Sequence, residues 1–176
     1  CYYSFLTGGP IIAHELFSMS PSEQGYLFGI VGFGYLFGNF LTGRYTVQVG
    51  PNKMMLMGCI ITVSAPMIQL ICVHTSLSNP FTLFGPMILI GLGNGMTLPN
   101  ASSGMVSIKP KLAGSASGLG MAIMIGVGAT LSGCTGFILG SGNIPYPLIL
   151  MIFAATIMST ITSYLIFITL KDGALN

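Results

Sequence analysis

Apolar residues run in long stretches along this chain, broken by short polar clusters rich in Pro, Gly, Ser and Asn. About 20 apolar residues cross the hydrocarbon core of a bilayer, so run length predicts the elements directly. Six helical spans follow, at residues 1–17, 21–45, 53–73, 80–107, 111–139 and 146–170. The second opens on Ser20-Pro21-Ser22-Glu23, which has the form of a capping box with Pro at the first helical position. The fourth opens on Asn79-Pro80, a cap followed again by Pro. The first run begins at Cys1 without initiator Met or basic flank, and Pro10 interrupts it. The sequence thus reads as a fragment whose first helix is truncated.

Glycine separates the spans into two kinds. The second, fourth and fifth are rich in it, with pairs such as Gly34/Gly38, Gly91/Gly95 and Gly114/Gly118 at the spacing that lets helix backbones approach. The third holds Gly58 alone, and the sixth holds none. These two are rich in Ile, Leu, Met and Phe, which suits lipid. The pattern predicts glycine-rich helices inside and the third and sixth outside, as two three-helix repeats would arrange them.

Of 176 residues, 52% are hydrophobic and 5% charged, whereas a soluble domain has roughly a quarter of its residues charged. The class is an all-α polytopic membrane protein in contact with the lipid bilayer. Its five cations are Arg44, Lys53, Lys109, Lys111 and Lys171, all in alternate connections or the tail. The connections at 74–80 and 140–147 carry no Lys or Arg. Excess Lys and Arg marks cytoplasmic loops, so the C-terminus is expected in the cytoplasm of a bacterial plasma membrane. The net charge of +2 reflects this loop bias and does not point to nucleic acid.

Candidate chemistry is sparse. The three acids, Glu15, Glu23 and Asp172, are scattered, and the four cysteines have no metal or disulfide spacing. No enzyme, cofactor or metal site is expected. Within the fourth span, Gly93–Asn100 places Pro99 beside Asn94 and Asn100 deep in the apolar run. Pro99 frees the carbonyl of Gly95. Either the helix bends there beside a substrate cavity, or Thr97 or a neighbouring helix satisfies the kink. Pro10 marks a second broken helix, with His14 and Glu15 just beyond it. Those two are candidates for proton coupling or for a solvated outer rim. Asn39 faces either a cavity or another helix.

The stretch Gly43–Lys53 resembles the loop motif Gly-x-x-x-Asp-Arg-x-Gly-Arg-Arg/Lys of major facilitator transporters. Gly43, Gly50 and Lys53 are the points of likeness, with Arg44 beside them. Val47 and Gln48 replace the motif's Asp and Arg, and Pro51 its later Arg, so the charged latch is degenerate. Leu112–Leu119, Gly93–Ala101, Tyr3–Pro10 and Ser20-Pro21 are similar to the C-terminal half of the Bcr/CflA drug-resistance transporters. The resemblance implies helices seven to twelve of a twelve-helix fold, with alternating access around a cavity shared with an N-terminal six-helix half. It implies export of a small amphipathic substrate against protons, with the proton-carrying acid in the other half. On that reading Pro10, Asn39, Asn94, Met96 and Asn100 line the cavity, while Gly114 and Gly118 slide against the partner half. Two other readings stay open: a carrier of the same fold for a sugar or organic acid, and a non-transporting membrane scaffold.

Overall fold

A computed structural model describes residues 1–75, 77, 79–108, 110–139 and 145–172. Lys109 and most of the connection at 140–147 lie outside the described residues. Every regular element among them is helical: α1 (Tyr2–Glu15), α2 (Pro21–Val49), α3 (Pro51–His74), α4 (Pro80–Phe84), α5 (Met87–Ile108), α6 (Ala113–Leu139) and α7 (Tyr146–Asp172), with a 3₁₀ turn at Pro110–Leu112 before α6. The α4–α5 pair together with α2, α3, α6 and α7 supplies five stretches long and apolar enough to cross a membrane. At 1.5 Å per residue the 14 residues of α1 span about 21 Å, short of the ~30 Å hydrocarbon core. This is a multi-pass membrane protein.

The ends of these helices follow from local chemistry. At the end of α1, Met19 N–H donates to the Ala13 carbonyl and Ser18 N–H to that of His14, with Ser18 at φ 49°. The Ser18 bond is the αL closure of a helix C-terminus, with serine in the position glycine prefers. Ser20 then starts α2, its hydroxyl accepting from Glu23 N–H while the Glu23 carboxylate accepts from Ser20 N–H. Asn79 and Thr82 repeat the reciprocal arrangement at α4. A single residue, Gly50, joins α2 to α3. Its N–H closes α2 on Thr46, its carbonyl opens α3 through Met54, and its φ of 91° is a conformation L side chains rarely adopt.

Close packing centres on α5. Facing glycines bring α2 and α5 into backbone contact: a Cβ on Gly34 would run into the carbonyl of Ile88, on Gly38 into that of Leu92, on Gly91 into that of Val31, and on Gly95 into that of Tyr35. On another side of α5, Gly93 lies against Thr62 of α3 and Thr97 against Gly58, in opposite order along the two helices. Contacts along α2 and α5 rise together, so these two helices run parallel, whereas α3 is antiparallel to α5. Tyr3 meets Gly128, and Thr7 meets Ser132 and Gly136, so α1 runs parallel to α6. Leu148 of α7 lies at Gly8 and Ser159 at Cys59, directing α7 back toward the start of α3. These directions gather Arg44, Lys53, Lys111 and Lys171 at one end of the bundle, with Glu15 and Glu23 at the other.

Two expectations need correction. Within this chain, glycine content does not sort buried from open helices: the glycine-rich α6 has 17% of its spanning window buried, α3 has 33%, and α4–α5 has 44%. A glycine permits close approach only where a neighbour exists, and Gly114, Gly118, Gly126 and Gly133 meet nothing within 4 Å. The fourth span also breaks at Gly85–Pro86, between α4 and α5, and not at Pro99, through which α5 stays helical. Fully buried Gln69 of α3 reaches that break and donates its amide to the Leu83 carbonyl.

Gly95→Ala is expected to lower the midpoint of thermal unfolding in detergent by several degrees, because its methyl group meets backbone that cannot yield (a loss of about 1–3 kcal/mol for overpacking). Gly50→Ala should lose about 1–3 kcal/mol through its φ. Gly114→Ala, in open space, should unfold like the parent protein.

Candidate functional site

Between the α3–α5–α7 layer and the α1–α6 pair lies a cavity of about 960 Å³, to which α2 adds Val31, Gly32 and Tyr35. Its two walls differ in chemistry. Cys59, Asn94, Thr97, Ser159, Thr162 and Ser163 supply the polar wall. On the α1–α6 side stand Tyr3, Ile123, Met124, Val127 and Leu131. Among the described residues no acidic or basic side chain lines the cavity.

Local hydrogen bonds fix the polar wall. Thr97 Oγ1 donates to the Gly93 carbonyl at 2.7 Å, a back-bond within its own helix. Cys59 Sγ lies 3.6 Å from Ser159 Oγ and 4.0 Å from Thr97 Oγ1, bridging α3, α7 and α5. Thr162 Oγ1 is 2.9 Å from the Met158 carbonyl. Ser163 is buried, and its Oγ has no partner among the described residues. The Asn94 carboxamide at the wall likewise makes no hydrogen bond there. Two of this wall's four hydroxyls are thus occupied by their own backbone and a third by Cys59, while one amide and one hydroxyl are left over.

The residues singled out from sequence fall in different places. Asn94 lines the cavity. Met96 is buried between helices, with Gly58 against its Cβ. Asn100 is also buried, donating to the Met96 carbonyl at 2.7 Å. Asn39 donates to the Tyr35 carbonyl at 2.9 Å and does not border the cavity. Pro10 lies within an unbroken α1, likewise off the cavity wall. His14 and Glu15 are exposed at the far end of α1. Gly43 is open, Arg44 and Lys53 are exposed around the α2–α3 turn, and Gly50 makes that turn. Counted from Gly43, the loop pattern ends at Asn52, so Lys53 stands one residue beyond it.

The carbonyl that Pro99 frees has a partner. Thr42 Oγ1 of α2 donates to Gly95 O at 3.0 Å across the tightest helix contact, in a buried setting. The proline is therefore accommodated by a neighbouring helix, and α5 carries Asn94 on a rigid rod. Sequence reasoning missed the hydroxyl stripe of α7, where Thr156, Ser159, Thr160 and Ser163 recur at helical spacing on the face toward α3 and the cavity. Their i, i+3, i+4, i+7 spacing inside an apolar run was the available signal. Gln69, a lone amide in another apolar run, was a second.

The description of the Major Facilitator Superfamily matches residues 1–174 of the chain. No curated protein matches it, and no solved structure does.

Thr42→Val keeps the side chain's shape but leaves the Gly95 carbonyl unpaired. It should cost about 1–3 kcal/mol, read as a lower unfolding midpoint, and a Thr42→Val/Pro99→Ala double variant should recover much of the loss.

Proposed function

The chain belongs to the major facilitator superfamily of membrane transporters, and from that premise we propose that it exports small amphipathic drugs or metabolites in exchange for protons, as the Bcr/CflA transporters do. The observation that carries the reading is the cavity itself: mostly apolar, free of charged side chains, and edged by an unpartnered amide. A sugar carrier needs a wall dense in hydrogen-bonding groups for its many hydroxyls, and the α1–α6 side offers little beyond apolar surface. Met55 and Met124 supply adaptable contact for ligands of varied shape. Asn94 orients the ligand's polar group.

Transport runs by alternating access against a second six-helix half. The glycines of α6 that face open space, Gly114 and Gly118 among them, form the sliding surface. The cationic end of the bundle faces the cytoplasm of a bacterial plasma membrane, with the C-terminus on that side. Pro10, Asn39, Met96 and Asn100 act by shaping the helices behind the cavity. Among the described residues no carboxylate lines this cavity, so on this reading the proton is carried elsewhere in the transporter. His14 and Glu15, exposed at the opposite end of the bundle, belong to the solvated rim.

In inverted membrane vesicles, an imposed proton gradient should drive uptake of an uncharged amphipathic dye, and collapsing it with nigericin should stop that uptake. Equal rates with and without the gradient would refute antiport. Asn94→Leu should cut uptake by about tenfold, the worth of one good hydrogen bond (~1.4 kcal/mol). Gly118→Leu should abolish uptake while the protein remains in the membrane and unfolds normally. A Cβ there meets nothing within 4 Å among the described residues, so unchanged uptake would remove α6 from the sliding surface.

A further inference from the structure

We propose that the α5–α7 wall is a specificity subsite for a single uncharged hydrogen-bonding group, an amide, ketone or hydroxyl, borne by a ligand whose apolar body lies against α6. The inference rests on the transport reading above and narrows its substrate class.

The segregation of the two walls carries it. Asn94 offers two N–H donors and a carbonyl acceptor that no neighbouring side chain or backbone group uses. Ser163, on the facing helix α7, has an Oγ without a partner although the residue is buried. An unsatisfied buried hydroxyl costs about 1–3 kcal/mol, which a ligand acceptor recovers. Because that oxygen is buried in its present rotamer, binding requires a χ1 change that brings it to the cavity. Thr97, Ser159 and Thr162 line the same cavity, and Thr97 and Thr162 already donate to backbone carbonyls, leaving oxygen lone pairs as weak acceptors. The subsite thus gives two good donors and several acceptors, but no counter-charge. A carboxylate or ammonium placed there would be stripped of water without an ionic partner, which costs several kcal/mol. Opposite, Ile123, Met124, Val127 and Leu131 of α6 are apolar, with the rings of Tyr2 and Tyr3 of α1 beside them. The ligand therefore has one orientation: head to α5–α7, tail to the α6 face.

The probes are three compounds of one shape: 4-hexylbenzamide, 4-hexylbenzoate and hexylbenzene. The reporter is Met124→Cys on the apolar wall, in protein carrying Cys1→Ser, Cys59→Ser, Cys72→Ser and Cys134→Ser, with the rate of alkylation by N-ethylmaleimide as readout. The benzamide should slow alkylation at least about fivefold, with benzoate and hexylbenzene having little effect at equal membrane concentration. Asn94→Leu and Ser163→Ala should each raise the benzamide concentration for half-protection by about tenfold, equivalent to ~1.4 kcal/mol. Equal protection by all three compounds, or protection unaltered in both variants, overturns the subsite. So does a cysteine at 124 that alkylates only after unfolding, since the cavity is then filled by protein. Protection by benzamide together with vesicles that move no amphipathic dye leaves the subsite standing and removes the transport reading. Dye transport without selective protection does the reverse.

Discussion

Backbone contact between α2 and α5 is the constraint on which the rest of the bundle depends. In lipid no hydrophobic force draws helices together, so association rests on close packing and on satisfied polar groups. Gly34, Gly38, Gly91 and Gly95 remove the side chains that would hold the two rods apart. Only at that separation can the short Thr42 side chain reach the Gly95 carbonyl that Pro99 leaves free. Packing and hydrogen bonding are here one feature. Without the glycines the hydroxyl falls short, and without the hydroxyl a buried carbonyl in a membrane goes unpaired.

From this anchor the remaining helices take their places in order of contact quality. The second small-residue contact, Gly58 and Thr62 against Gly93, docks α3 on α5, and Cys59 and Ser159 then join α7 to α3. The α1–α6 pair is held to each other by Thr7 and Ser132, and Gly128 cradles the Tyr3 ring. Two well-packed layers leave the cavity between them. Its polar side belongs to the layer built on hydroxyls and freed carbonyls, and its apolar side to the α6 face.

Much of the frame was legible because membrane helices obey simple length and capping rules. The Ser20 and Asn79 caps and the cation placement rest on local residue chemistry, whereas the connection expected between residues 45 and 53 shrinks to Gly50 alone. The glycine pairs of α2 and α5 were legible too, but those of α6 carry the same spacing and meet nothing within the chain. Spacing states that a helix can be approached, not that anything approaches it. Pro99 misled for a related reason: a proline shows which carbonyl is freed, while the partner lies 53 residues away on another helix. Asn94, Asn39 and Asn100 look alike in sequence. In the fold Asn39 and Asn100 turn back onto their own helices, and Asn94 has no such partner at the cavity.

The distribution of charge also limits how such a cavity can work. Placing an ionised group in mid-membrane costs on the order of 2.5–3.5 kcal/mol on insertion scales, and this bundle avoids that cost throughout its spans. Arg44, Lys53 and Lys111 collect at one end and Glu15 and Glu23 at the other, so the space between offers dipoles alone. Dipoles bind neutral molecules without trapping them, since a hydrogen bond exchanged with water is worth about 0.5–1.5 kcal/mol net. On the proposed transport reading, a carrier must release what it binds, and a wall of hydroxyls and one amide suits loose retention. Energy input then has to enter through a group that does change charge. Among the described residues the acidic and basic side chains are confined to the two ends, so the proposed antiport separates the coupling step from the recognition step.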